Sequence, residues 1–199
     1  MEKPILFNTV MVQAILQGKK TSTRRIIKNK YVNSNIEYFT NKYGTRLVYM
    51  QNDTETRVNK DGSKSTQLRA CEEIKKPYSV GDTIWVRETW LKADDGYHYK
   101  SDETRVSKEI RELYGYKWKP SIHMSRVAAR TFLKVSGIKA ERLHDITENG
   151  AKAEGFNDVL PVFTAKELFQ AEWNSIYKNW NENPWVWVIE FEKVENYEL

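Results

Sequence analysis

The sequence of 199 residues has little cysteine and no long apolar run, and both absences limit what the protein can be. Cys71 is the single cysteine, so no internal disulfide can form and a reducing compartment is favoured. No stretch approaches the roughly 20 apolar residues that cross a bilayer. Asn8, Thr9 and Gln13 make the first segment too polar for a signal peptide. We therefore expect a cytoplasmic protein without membrane segments.

The usual sequence patterns of metal and cofactor sites are also missing. The residues His98, His123, His144 and Cys71 show no ligand spacing of the C-x-x-C or H-E-x-x-H kind. Neither a P-loop nor a dinucleotide-binding fingerprint is present. We predict no metal and no cofactor.

Aromatic residues, in contrast, are abundant. Seven Trp and eleven Tyr in this length indicate a packed fold rather than a disordered chain. Short strand patterns with a few helical patterns predict a single α+β domain over residues 1–199, in the form of a barrel. The segments 31–76 and 92–117 carry no motif of a site and are interpreted as two insertions.

Local signals place most of the elements. Asn8 is a good N-cap for a helix over 9–17, and Gly18 stands where a glycine ends a helix. Thr164 and Glu167 form a capping box before a further helix. The remaining patterns predict a helix over 147–154 and extended segments over 21–27, 46–51, 83–90, 127–142 (broken near Ser136-Gly137) and 185–194, with a turn at Asp61-Gly62.

Positive charge is concentrated in one segment. The net charge is +5, and residues 18–30 contain six basic residues and no acidic one: Lys19, Lys20, Arg24, Arg25, Lys28 and Lys30. Such a patch predicts an anionic partner such as nucleic acid. A solvated surface loop would show the same charge, and charge alone does not decide between the two.

Four segments, in order, resemble the ASCH family of the PUA-like superfamily. They are GKKTSTRR at 18–25, GDTIWVRE at 81–88, LHDITE through AEGF at 143–156, and VWVIEF at 186–191. Each is weak alone, and the insertions between them have no counterpart. Together with PSIHMSR at 120–126, the arrangement is most similar to phage or prophage members with long insertions.

The resemblance implies a PUA-like β-barrel flanked by short helices, with a cleft lined by the basic loop that accepts RNA, a nucleoside or a modified base. A small bacterial relative is an amidohydrolase that removes acetyl from acetylated cytidine. Its Lys, Thr and Glu correspond by motif to Lys20, Thr23 and Glu154, which the resemblance implies as catalytic. Other relatives are RNA-binding modules or have been described as ribonucleases.

The residues themselves leave two readings of this trio open. A buried lysine with a lowered pKa can take the proton of a threonine hydroxyl, and a glutamate can pass it to a leaving amine. In the other reading, Lys20 contacts phosphate and Thr23 is an ordinary strand residue.

Further residues are predicted to bind nucleic acid. Arg24 and Arg25 should point to opposite sides of a strand, and the family pattern favours Arg25 in the cleft; a surface salt bridge with Glu88 or another acid is the alternative. A buried Glu88 requires a cationic partner, which we expect at the cleft. The remaining candidates are Lys19, Arg87, His123 and Arg126, with His123 otherwise a structural histidine.

Three function classes follow from this reading. The first is a binding module for RNA or for a base or nucleoside. The second is an amidohydrolase acting on acetylated cytidine, and a ribonuclease using Lys20, His123 and Glu154 is a further enzymatic alternative. The third is a protein-interaction surface on the insertions, with a cleft that has lost its role.

Overall fold

The computed structural model describes residues 2–28, 34–42, 44–58, 61, 64–157 and 162–195. This part of the chain combines mainly antiparallel sheets with a few separate helices, which confirms the predicted α+β class. The strands are β1 (Glu2–Leu6), β2 (Ser22–Ile26), β3 (Ser34–Asn41), β4 (Gly44–Val58), β5 (Lys64–Glu73), β6 (Thr83–Arg87), β7 (Trp90–Ala93), β8 (Gly96–Tyr99), β9 (Phe132–Arg142) and β10 (Trp185–Lys193). The helices are α1 (Thr9–Leu16), α2 (Arg105–Leu113), α3 (Glu148–Ala153) and α4 (Ala165–Ile176).

A five-stranded sheet forms the centre of the fold, with strand order β1-β6-β9-β10-β2. The pair β1 and β6 is parallel, and the other pairs are antiparallel. No backbone pairing joins β1 to β2 in the described part of the chain, so the sheet has two edges and is not a closed barrel. The Arg25 side chain nevertheless spans these edges, because its Nη2 donates to the Leu6 carbonyl oxygen at 2.6 Å. We call the gap between β1 and β2 the seam.

Strand β10 is buried on both of its faces. Trp187, Ile189 and Phe191 alternate along it and pack in a large core with α1 residues Val12 and Ile15. On the opposite face, Val186 joins a smaller core formed mainly by α3 and α4. A strand covered on both faces is apolar at successive positions, which is why residues 185–191 form such a clear strand pattern.

The first insertion forms the three-stranded sheet β3-β4-β5. The predicted strand 46–51 lies inside the longer β4, and Asp61 lies in the turn that follows, whereas Gly62 is outside the described residues. Ile36, Leu47 and Ile74 belong to the large core. The insertion therefore contributes to the main fold and brings its own residues beside the central sheet.

The second insertion carries the hairpin β7-β8 and helix α2. The predicted strand 83–90 ends at Arg87, and Trp90 begins β7 instead. The break expected near Ser136 is an irregularity in register inside a continuous β9, where Glu190 pairs with Gly137 and Phe191 with Val135. Among the described residues, no helix combines the length and apolar character required to span a membrane.

The caps of the helices follow the sequence signals. The Asn8 side chain accepts from the Met11 backbone N–H at 2.8 Å, and Gly18, with φ of +71°, follows α1. The Thr164 and Glu167 side chains form the expected capping box on α4. Glu148 of α3 also accepts from the Ala165 backbone N–H at 2.6 Å, which ties the two helices together.

Candidate functional site

The basic loop lies between α1 and α3 and continues into β2. The main chains of Lys20 and Glu154 form an isolated bridge, and the Thr21 backbone N–H donates to the Ala153 carbonyl oxygen at 2.7 Å. Gly155, with φ of +98°, permits this close approach, because a Cβ there would lie 3.3 Å from the Lys20 Cβ. The motifs at 18–25 and 143–156 are thus joined by backbone contact.

Two of the three predicted catalytic residues meet in a buried ion network. Lys20 Nζ donates to Glu154 Oε2 at 2.6 Å, and Arg24 Nη1 donates to Glu154 Oε1 at 3.2 Å. Arg24 also donates to Glu141 Oε1, from Nη2 at 2.8 Å. The residues Lys20, Arg24 and Glu154 are 2%, 5% and 4% exposed. Lys139 Nζ, on an exposed side chain, also lies 3.0 Å from Glu141 Oε2, so each buried charge of the network has a partner of opposite sign.

Burial sets the protonation behaviour of Lys20. Loss of solvent lowers the pKa of the Lys20 ammonium from its ordinary value, while the Glu154 carboxylate opposes this shift. The charges of Arg25 and Arg24 lower the pKa further. A lysine whose pKa is lowered in this way is closer to acting as a base than a solvated one.

Thr23, the third predicted catalytic residue, is a buried strand residue. It pairs with Ile189 of β10 and is 1% exposed. None of Lys20, Thr23 and Glu154 is among the lining residues of the cavities, although Arg24 and Glu141 of the network line an open cavity of about 530 Å³. The trio is therefore enclosed, although Phe7, whose ring centroid is 5.6 Å from Lys20 Nζ, lines an open cavity.

An open cleft of about 650 Å³ lies along the seam. Four cationic residues line it: Arg25, Lys28, Lys75 and Arg87. Four aromatic residues line it as well: Tyr49, Tyr78, Tyr177 and Trp187. No acidic side chain is among its described lining residues. Positive charge interleaved with aromatic rings is the surface chemistry that binds single-stranded nucleic acids.

The two arginines of this cleft keep their charge uncompensated. Arg25 donates to the Leu6 carbonyl oxygen, and Arg87 donates to the carbonyl oxygens of Ile122 and Met124. These acceptors are neutral, and neither guanidinium has a carboxylate partner among the described residues. By contrast, the arginines Arg24, Arg111, Arg126 and Arg130 are each paired with carboxylates. The cleft thus holds guanidinium charge that an anionic ligand can neutralise.

Tyr78 closes one side of the cleft and fixes the edge of β1. Its hydroxyl donates to the Pro4 carbonyl oxygen at 2.9 Å. Burial raises the pKa of the Tyr78 phenol, against the opposing charge of Arg25. Pro4 has no backbone N–H, so the β1 edge offers few groups for pairing with another strand and remains the wall of a cleft.

A smaller cavity of about 320 Å³ continues the cleft on the other side of Arg25. The two cavities share Leu6, Arg25 and Tyr177. The smaller one adds apolar side chains from Phe7, Met11 and Ile176, and polar groups from Asn8, Thr9, Thr89 and Ser121. We call them the large and the small chamber of the seam cleft.

The alternation predicted for Arg24 and Arg25 is present in β2. Arg24 faces α3 and Glu141, whereas Arg25 faces the seam. Arg25 does not pair with Glu88, which is buried and accepts instead from Arg130 Nε at 3.1 Å and from the Ser101 hydroxyl. Arg130 lies beside the second insertion and does not line the seam cleft. Contrary to the expectation, the cationic partner of Glu88 is therefore not at the cleft.

The other predicted binding residues are dispersed. Lys19 is exposed at the loop, and Arg87 lines the large chamber. His123 is exposed in a short 3-10 turn and lines neither chamber. Arg126 pairs with Glu2, with Nε to Oε2 at 2.7 Å, away from the chamber linings.

Sequence reasoning missed several lining residues of the seam cleft. Tyr49 and Lys75 belong to the first insertion, and Tyr177 follows α4. Lys28 was visible as part of the basic run. Nothing in the sequence alone indicates that the first insertion folds against the seam.

A separate cavity of about 620 Å³ lies in the second insertion. It is rich in aromatic residues, but its lining also includes Asp94, Asp95, Asp102 and Glu103. Its two arginines, Arg111 and Arg130, are paired with carboxylates. This composition repels a polyanion, so the seam cleft is the better candidate for nucleic acid.

Comparisons of the chain with protein-family models, with curated proteins and with solved structures gave no match.

Proposed function

We propose that this protein binds RNA or a nucleotide in the seam cleft, and that it is a PUA-like protein of the ASCH type. The observation that carries the proposal is the large chamber, with four cations, four aromatic rings and no described acidic lining residue. The two guanidiniums bonded to neutral carbonyl oxygens supply charge, and the half-buried rings of Tyr78 and Tyr177 supply surfaces on which bases stack.

Salt dependence of binding tests this proposal. On a single strand, each phosphate contact contributes about −0.7 to the slope of log K against log[salt], where K is the association constant. Four contacts therefore predict a slope of about −3. Affinity of a labelled single-stranded RNA would be measured by fluorescence anisotropy over a range of salt concentrations. The variants Arg25→Ala and Lys75→Ala should each weaken binding and make the slope shallower by about 0.7.

Arg142 offers a matched control for Arg25. Its guanidinium also donates to a main-chain carbonyl oxygen, that of Asn183, and also lies over an aromatic ring, that of Trp185. It lines neither chamber, so Arg142→Ala should leave affinity and slope unchanged. The proposal fails if no RNA or DNA oligonucleotide binds at low salt, or if Arg25→Ala and Arg142→Ala behave alike.

A second candidate function is amide hydrolysis on an acetylated cytidine. The direct contact between Lys20 and Glu154, together with the lowered pKa of Lys20, favours it. The enclosed position of the trio weighs against it, since Lys20, Thr23 and Glu154 are each less than 5% exposed and a substrate must displace neighbouring side chains to reach them. Incubation with acetylated cytidine, followed by ultraviolet absorbance, tests this function. Turnover abolished by Thr23→Val would support it, and absence of turnover would end it.

A further inference from the structure

The two chambers of the seam cleft meet at a single cation. Arg25 lines both chambers, and its hydrogen bond to Leu6, at 2.6 Å, crosses the seam where they join. A ligand that fills both chambers must therefore pass beside the guanidinium. The group that lies there best is an anion that can accept hydrogen bonds from it in place of the neutral Leu6 carbonyl oxygen.

The chambers differ in what they can hold. The large chamber combines aromatic rings with Lys28, Lys75 and Arg87, and its volume of about 650 Å³ suits a nucleotide with its phosphate. The small chamber, at about 320 Å³, suits one ring system. Its apolar wall, with the hydroxyl groups of Thr9 and Ser121, can stack on a base and bond to its edge.

We infer that the seam cleft binds two consecutive nucleotides of a single strand, with the phosphodiester between them on Arg25. This inference rests on the proposed function and names its ligand as a strand rather than a free nucleoside. Both chambers are open to solvent, with Leu6 and Ile176 exposed by 42% and 48%, so a strand can continue beyond either chamber.

A charge-matched ligand series tests the inference. Uridine, uridine 5′-monophosphate, the dinucleoside monophosphate UpU, and UpU with a neutral methylphosphonate linkage would be titrated by calorimetry, with the adenine series alongside. A phosphodiester held by a guanidinium predicts that the charged dinucleotide binds about 10- to 100-fold more tightly than the mononucleotide or the neutral dinucleotide. In Arg25→Met, the charged and neutral dinucleotides should bind equally, whereas Arg142→Met should keep the difference.

A second variant tests the small chamber without the charge. Ile176→Trp places a larger side chain into this chamber at a half-exposed position, so the fold tolerates it. The dinucleotide should then bind no better than the mononucleotide. Val106→Trp, at an exposed position of α2 that lines neither chamber, is the matched control and should retain the full dinucleotide gain.

The outcomes separate this inference from the proposed function. If an octanucleotide binds with the expected salt slope but dinucleotides bind like mononucleotides, the two-chamber inference is overturned and the RNA proposal stands. Tighter binding of a pyrophosphate-linked dinucleotide than of the octanucleotide also overturns it, in favour of a free ligand. If neither the series nor the octanucleotide binds at low salt, both proposals fail together.

Discussion

Replacing Glu154 with glutamine should destabilise the protein strongly. The substitution keeps the shape of the side chain but removes a carboxylate that contacts Lys20 Nζ at 2.6 Å and Arg24 Nη1 at 3.2 Å. Lys20 Nζ then loses its carboxylate partner, and Arg24 keeps only Glu141, which Lys139 also contacts. Removing one member of a buried ion pair costs about 3–5 kcal/mol of unfolding free energy. At about 2–4 °C per kcal/mol for this size, the midpoint temperature should fall by about 6–20 °C.

The related variants should follow from the same contacts. Lys20→Met leaves Glu154 bonded to Arg24. The decrease in unfolding free energy of this variant should therefore lie at or below the low end of about 3–5 kcal/mol. The double variant Lys20→Met/Glu154→Gln removes both charges of this ion pair. Its decrease in unfolding free energy should therefore be less than the sum of the decreases in the two single variants.

The loss in Glu154→Gln should also depend on pH. Burial lowers the folded-state pKa of Lys20 below its unfolded value, so the unfolded state binds more protons between the two values and stability rises with pH there. Glutamine removes the carboxylate that raises this pKa, so the rise begins at lower pH in the variant. The destabilisation should therefore shrink as the pH increases above neutrality, between the folded-state pKa values of Lys20 in the two proteins.

Urea unfolding followed by tryptophan fluorescence, at about pH 7 and about pH 9.5, measures both effects. Glu109→Gln is the control, because Arg105 and Glu109 form an exposed pair on α2 whose loss costs at most about 0.5 kcal/mol. The buried network would be refuted if Glu154→Gln lost no more unfolding free energy than the control. It would also be refuted if that loss increased as the pH became alkaline.

Three further predictions concern stability and are checked by the same urea assay. Gly155→Ala should lower the free energy of unfolding by about 1–3 kcal/mol, because φ is +98° and the new Cβ would contact Ala14 and Lys20. Gly115→Ala is the control and should lower it less, because φ is +71° there and a Cβ would have no neighbour within 4 Å. Thr164→Ala should cost about 1 kcal/mol by removing the α4 N-cap, and an unchanged midpoint would contradict that role. Ser22→Ala should be neutral or stabilising, because its buried hydroxyl has no hydrogen-bond partner among the described residues; a loss above about 1 kcal/mol would show that a partner exists.

Local signals in the sequence were sufficient to predict the helices and strands whose ends depend on nearby residues. Asn8 and Gly18 flank α1, Thr164 caps the start of α4, and the apolar run at 185–189 begins a strand covered on both faces. The resemblance implied Lys20 and Glu154 as members of one site. In the structure, the two motifs that carry them meet through backbone bonds.

What could not be predicted depends on contacts between distant segments. The ion partner of Glu88 is Arg130, 42 residues away, and nothing in the local pattern selects it over Arg25. The openness of the sheet follows from the absence of β1–β2 pairing, which the strand patterns do not encode. Tyr49 and Lys75 reach the seam cleft because the first insertion folds onto the large core.

The order of the central strands has a consequence for synthesis on the ribosome. Strand β2, which carries Arg24 and Arg25, has β10 as its sheet neighbour, and residues 27–184 separate the two. Strand β1 likewise pairs with β6, more than 70 residues later. Pairings of such long range form late and slow folding. A nascent chain that stops before residue 185 therefore exposes the cationic segment without its cleft, and the seam cleft forms only after the last strand has been made.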